Sequence, residues 1–264
     1  MHPEEYERMY RYEGEYWWFV GRRELILTLV QDWLGEHSNG LFLEAGCGTG
    51  AMLKTLEQWG LVIGVDLATP ALEFCRRRGC AYLVQASVER LPFPEETFDL
   101  ITALDLLEHV EDDQGALSEF YRVLKPGGLL ALTVPAYRFL WSGHDIALHH
   151  KRRYTASLLR SRLKQAKFTI RKLSYAVTLL FLPILLFRLQ NRWFQRQQTP
   201  HASIVPVPSW LNRLLIALQR FEAHLVRLLN LPFGVSLVAI VSKETPSTSI
   251  AEKLPDPQKA SPDS

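Results

Sequence analysis

From residue 40 onward the chain alternates short apolar runs with longer amphipathic ones, a pattern that leaves few folds open. LFLEAG (41–46), LVIGVD (61–66), AYLVQA (81–86), FDLITALD (98–105) and GLLALTV (128–134) read as buried strands. Helices are expected from Gly50 to Trp59 before Gly60, and from Pro70 to Arg78 before Gly79. A third is expected over Asp113–Leu124, ending at Lys125-Pro126-Gly127-Gly128. Strands separated by helices need crossover connections, which gives a parallel sheet in an α/β fold. Strands apolar along their whole length fit burial on both faces.

The flanks are less regular. A helix is expected over 20–36, preceded by the aromatic cluster Tyr16-Trp17-Trp18-Phe19. After Pro135 comes a His-rich polar loop, then a basic helix at Ala156–Ala166 and a strand at Phe168–Leu173. The apolar run AVTLLFLPILLF (176–187), a Pro-containing loop, a helix over Trp210–Leu229 and the strand SLVAIVSK (236–243) follow. The Pro/Ser-rich tail beyond 243 is expected to be disordered.

The chemistry is best marked by Glu44-Ala45-Gly46-Cys47-Gly48-Thr49-Gly50, where a strand gives way to a helix. Glycines let the backbone approach a ligand closely, and helix N-termini offer free N–H groups. Asp66 ends the next strand, where a carboxylate can accept both hydroxyls of a ribose. Loop and acid together predict a nucleoside-containing cofactor. The GxGxG spacing differs from the GxGxxG of dinucleotide loops.

At LEAGCGTG, FDLITALDLLEHV, LKPGG and ERLPFPEETFDL the sequence resembles the small-molecule, type 11-like branch of the class I S-adenosylmethionine-dependent methyltransferases, over about residues 40–135. The resemblance implies a Rossmann-like seven-stranded sheet, mostly parallel with an antiparallel last strand. It also implies that Gly46, Cys47, Gly48 and Gly50 hold the methionine part of S-adenosyl-L-methionine, with Glu44 supporting the loop. Asp66 would take the ribose hydroxyls, Leu67 and Val88 would sandwich the adenine, and Leu104 and Asp105 would lie near the sulfonium. Ser87 stands where the family often has Asp, so adenine recognition loses charge assistance.

Methyl transfer from a sulfonium depends on alignment, and a general base matters when the acceptor must lose a proton. His144, held by Asp145 or a neighbour, or else His150, is expected to serve as base or acceptor anchor. Arg152 and Arg153 are candidates for an anionic substrate group, with Tyr154 closing the pocket. The competing reading has both arginines tying the loop to acids of the first half while the histidines cap helices. His109, expected one turn into a helix, is read as a packing or capping residue. The aromatic cluster either lids the site or covers a core.

The strands at 168–173 and 236–243 would form the antiparallel edge hairpin, leaving about sixty residues between them, far beyond the roughly 2–5 of a hairpin loop. The expected division is a cap at 1–39, a methyltransferase domain at 40–174 and 233–243, and a helical insertion at 175–232. Charge follows this division. Residues 1–150 carry 12 Lys+Arg against 23 Asp+Glu, whereas residues 151–221 carry 14 Lys+Arg and no acid. Arg213, Arg220 and Arg227 recur every seven residues beside a Leu-rich face. An apolar insertion fringed with arginine, including Arg188, Arg192 and Arg196 with Trp193-Phe194, suits the cytoplasmic face of an anionic membrane. The alternative is a two-helix lid packed on itself or on a dimer partner; nucleic acid is disfavoured by the interleaved leucines.

Three cysteines without paired spacing argue against a disulfide framework or a zinc site, so no metal is expected, and a reducing compartment is. The first residues have no apolar signal-peptide core, and the 12-residue apolar run is short for a membrane span of about 20. The expected activity is methyl transfer to a small or lipid-linked acceptor. The alternatives are an RNA or protein methyltransferase and a non-catalytic cofactor-binding scaffold.

Overall fold

A computed structural model describes residues 3–194 and 206–245. The expected disorder beyond 245, Pro200 and Arg196 lie outside the described residues, as do the side chains of Arg192, Trp193 and Phe194. In chain order the elements are α1 (Pro3–Tyr12), α2 (Trp17–Glu36), β1 (Gly40–Ala45), α3 (Ala51–Leu56), β2 (Gly60–Asp66), α4 (Thr69–Arg77), β3 (Leu83–Gln85) and β4 (Phe98–Leu104). They continue with α5 (Asp113–Val123), β5 (Leu124–Pro135), α6 (Gly143–Ala147), α7 (Ala156–Gln165), β6 (Thr169–Ala176), α8 (Phe181–Phe194), α9 (Ser209–Leu228) and β7 (Ser236–Ser242).

The strands form one sheet in the order β3-β2-β1-β4-β5-β7-β6. The first five are parallel, while β7 runs antiparallel to both β5 and β6. This is the expected Rossmann-like arrangement. The strand order reverses between the parallel neighbours β1 and β4, and ligand crevices in open α/β sheets lie beyond the carboxyl ends of the strands at that switch.

Alternate side chains of each strand feed two cores, which is why the runs are apolar throughout. Leu43, Ile101, Leu130 and Leu132 pack with Leu117 and Phe120 of α5 and Leu159 and Leu163 of α7. Phe42, Leu100, Leu129 and Val238 pack with Ile26, Val30 and Leu34 of α2, Met52 and Leu53 of α3, and Val226 of α9. Asp112 caps α5 by accepting from the Gly115 N–H at 2.9 Å, and Thr155 caps α7 by accepting from Leu158.

The structure corrects several boundaries. Trp17, Trp18 and Phe19 belong to α2 itself, with Tyr16 at its N-cap, and α1 is an additional helix. His109 lies in a turn, not in a helix. Lys125–Gly128, read as a turn, is drawn into β5: Leu124 pairs with Phe98, the register then slips, and Leu129 pairs with Leu100. Gly127 takes φ +80° at the slip.

The insertion departs further from expectation. Its second helix, α9, lies along α2 and fills a normal covering position on the sheet, so it is not half of a self-packed hairpin. Arg220 pairs with Glu24 at 2.8 Å and Arg227 with Asp32 at 2.5 Å, so these two members of the stripe face the domain. Asn212 accepts from the Trp17 N–H at 2.9 Å and donates to the Glu15 carbonyl at 2.8 Å. Buried Glu222 accepts from the N–H groups of Thr178 and Leu179, anchoring the segment that leads into α8. The inner side of α8 leans on Leu140, Val177 and Val235, leaving Leu182, Leu186 and Leu189 exposed. Among the described residues no helix is long and apolar enough to cross a membrane.

Candidate cofactor and acceptor cleft

β1 delivers Glu44 and the glycine loop to the carboxyl end of the sheet. Gly46, Gly48 and Gly50 have φ of +70°, +52° and +86°, a region that other residues rarely adopt. A side chain at Gly46 would come within 2.6 Å of the Leu106 side chain. The N–H groups of Gly46 and Cys47 both donate to the Val65 carbonyl, at 2.8 and 3.0 Å, which ties the loop to β2. Asp66 accepts from Gly48 at 3.0 Å and Ala68 at 2.9 Å. Burial holds its carboxyl above the ordinary value, and burial with nearby Glu13 pushes Glu44 well above it.

A single cleft of about 1860 Å³ opens here. Glu44, Gly46, Cys47, Gly48, Asp66, Leu67, Ser87, Val88, Leu104 and Asp105 all line it, while Gly50 stands behind the loop against Cys75 and Cys80. Leu67 is exposed and Val88 buried. The Ser87 hydroxyl accepts from the Glu89 N–H at 3.2 Å, so its own turn already engages it. The free thiols of Cys47 and Cys75 lie 3.8 Å apart, a packing contact in the core.

The N-terminal segment contributes more than the sequence signals. Tyr6 and Met9 of α1, with Trp17, Trp18 and Phe19 of α2, line the cleft. Buried Glu13 accepts from the Thr49 hydroxyl and pairs with Arg78 at 3.3 Å, clamping the segment onto the loop. Arg22 was not anticipated: it pairs with Asp105, which also accepts from the Thr133 hydroxyl at 2.8 Å. Burial alone would raise the Asp105 carboxyl, but Arg22 and Thr133 hold it below its ordinary value. The only basic residues of α2, Arg22 and Arg23, were the available signal for this role.

At the far end the predicted catalytic residues separate. His144 and His150 line the cleft; Asp145 does not. Asp145 is fully buried and accepts from Arg153 at 2.7 and 3.0 Å, from a His150 ring nitrogen at 2.9 Å and from the Ser142 N–H at 2.9 Å. Those donors keep its carboxyl below the ordinary value despite burial. Burial and Arg188 push His144 down to about 3, which makes it a weak proton acceptor at neutral pH. Arg153 is buried with Asp145 and the Ala136 carbonyl, and Arg152 pairs with Asp113 at 3.2 Å. Both arginines thus tie the loop down. Tyr154 is a fully buried core residue donating to Asp113 at 3.0 Å, not a pocket gate. Glu108 and His109 also line the cleft beside His150.

Residues 43–132 match the family model described as a methyltransferase domain. Over 115 residues the chain is 36% identical to malonyl-[acyl-carrier protein] O-methyltransferase of Salmonella typhimurium, covering 40% of this chain and 46% of that protein. Over 104 residues it is 38% identical to demethylmenaquinone methyltransferase of Lactiplantibacillus plantarum, covering 35% and 44%. The chain thus spans under half the length of these two relatives. A solved S-adenosylmethionine-dependent methyltransferase from Thermotoga maritima shares the fold at TM-score 0.55 and 20% identity, over 91% of this chain and 95% of that one. The glycine loop, the acid ending β2 and the matched segment converge: residues 43–132 are similar to the methyltransferase-domain family, within a fold that the solved S-adenosylmethionine-dependent methyltransferase shares.

Proposed function

We propose that this protein transfers a methyl group from S-adenosyl-L-methionine to a small or lipid-linked acceptor. The observation that carries the reading is the continuity of the cleft. It runs from the glycine loop to an apolar wall of Pro183, Ile184 and Phe187 on α8 and Leu215 on α9. Ligand pockets are typically about 300–1,000 Å³, so this space holds a cofactor and a second, largely apolar molecule.

The cradle fits the cofactor. Gly46 and Gly48 line the cleft where the methionine part would lie, Asp66 lines it where the ribose hydroxyls would lie, and Leu67 and Val88 flank the adenine position. The cofactor supplies an electrophilic methyl group on sulfur; the chain's task is to align an acceptor with it. Alignment alone is worth up to about 7–11 kcal/mol of barrier. Arg22 fixes Asp105 at the end of β4, and the Asp145-anchored His150 orients the acceptor. His144 borders the acceptor space.

Exposed Leu182, Leu186 and Leu189 on α8, with Trp210 and Leu214 on α9, support peripheral contact with a membrane from which a lipid-linked acceptor is drawn. Three unpaired cysteines support the cytoplasmic side. The RNA or protein alternative loses ground because Arg152, Arg153, Arg162, Arg188, Arg220 and Arg227 are each paired with an acid of the same chain. Purified protein given methyl-labelled cofactor with lipid, RNA and protein fractions should place label in the lipid or small-molecule fraction. Label confined to RNA or protein would overturn the proposal.

A further inference from the structure

Glu108 is fully buried, and neither of its carboxylate oxygens has a hydrogen-bond partner. Buried polar groups nearly always find partners, so an orphaned one points to a missing water or ion. The surroundings favour an ion. Ligand atoms of Glu108, His109 and His150 lie within 4.8 Å of one another, and all three residues line the cleft. The Lys151 N–H donates to the Glu108 carbonyl at 2.8 Å, pinning the turn after β4 to the loop after α6.

His150 is already oriented by a second partner, as metal-bound imidazoles usually are. The His150 Nδ1 faces Asp145 at 2.9 Å. Asp145 accepts N–H donors on both oxygens, so Nδ1 carries the proton and the Nε2 lone pair is left for a cation. His109 lies beside this ring at the cleft wall, within ligand distance of both Glu108 and His150. The two rings meet edge-on, with centroids 4.7 Å apart.

We propose that Glu108, His109 and His150 form a divalent transition-metal site at the acceptor end of the cleft. One carboxylate and two imidazoles suit Zn²⁺, Fe²⁺, Co²⁺ or Mn²⁺ better than Mg²⁺ or Ca²⁺, which prefer oxygen donors. Three protein ligands leave coordination positions open toward the cleft, as catalytic sites do. An oxygen donor on the second substrate, a hydroxyl or a carboxylate, would fill one of them; that consequence rests on the methyl-transfer reading, whereas the site itself does not. The sequence gives no metal motif because Glu108 and His150 are forty-two positions apart.

The test is a Co²⁺ titration of the metal-stripped full-length protein, followed by visible absorption. One equivalent should bind with a ligand-field spectrum, and Glu108→Gln and His109→Ala should each weaken binding by at least ~100-fold. His224→Ala, which removes an exposed histidine, should change nothing. Calorimetry with S-adenosylmethionine on every variant checks folding and keeps the two readings separate. Retained cofactor binding without Co²⁺ binding, or Co²⁺ binding indifferent to Glu108→Gln and His109→Ala, would overturn the metal site alone.

Discussion

At Asp145 one carboxylate organises the loop after β5. It receives Arg153, His150 and the Ser142 N–H, with Arg188 of α8 at 3.6 Å. The Arg-Arg-Tyr sequence reads equally well as a substrate clamp or as an internal tie, since sequence shows charge but not its partner. Burial decides for the tie. Arg153→Ala leaves a buried anion short of its best donor and should cost about 3–5 kcal/mol, seen as a lower Tm, where a clamp would chiefly raise KM. Glu44 gives the opposite sign. Its folded carboxyl holds its proton more tightly than an unfolded one, so stability falls as pH rises from the ordinary carboxyl value through the raised one, and stays reduced above it. Glu44→Gln should therefore melt higher than the parent at neutral pH, by at least about 1 kcal/mol, and the gap should close in acid. A Tm gap independent of pH would refute this. The glycines and Asp66 were legible because backbone conformation and cofactor chemistry restrict those positions to few residue types. Arg22, Glu13 and Glu108 were not, since their meaning lies in partners remote in sequence.

Elements differ in the same way. The sheet and α5 follow from local periodicity, and the resemblance supplies the strand order. Helix α9 was legible as a helix but not in its place: its arginines meet Glu24 and Asp32 on α2, 196 and 195 residues away. A basic stripe beside leucines looks the same whether it meets lipid or an acidic neighbouring helix. Helix α1 is charged and short, so its periodicity is faint; Arg78 holds it by donating to the Tyr10 carbonyl, and Glu13 just beyond it accepts from Thr49 and Arg78. The exposed face of α8 remains the candidate for membrane contact. Leu182→Ser/Leu186→Ser/Leu189→Ser should abolish flotation with anionic vesicles while leaving Tm and cofactor affinity unchanged. Undiminished flotation would move the contact elsewhere.

Across the whole molecule, the acidic first half and the basic 151–221 stretch are two sides of one folded unit. Arg152, Arg153, Arg162, Arg188 and Arg220 of the basic stretch are paired with acids of the first 150 residues. These pairs fasten the loop after β5 to α5 and α8, α7 to α5, and α9 to α2. The proposed activity requires that the cleft bind S-adenosylmethionine through Asp66 and the glycine loop. Charge-assisted bonds to the ribose are worth about 1.5–3 kcal/mol, roughly 10- to 100-fold in Kd. Isothermal titration of the purified chain with S-adenosylmethionine should show one site, and Asp66→Ala, with its fold intact by melting, should weaken it by about that factor. Absence of binding to the parent protein, or equal binding to Asp66→Ala, would contradict the account.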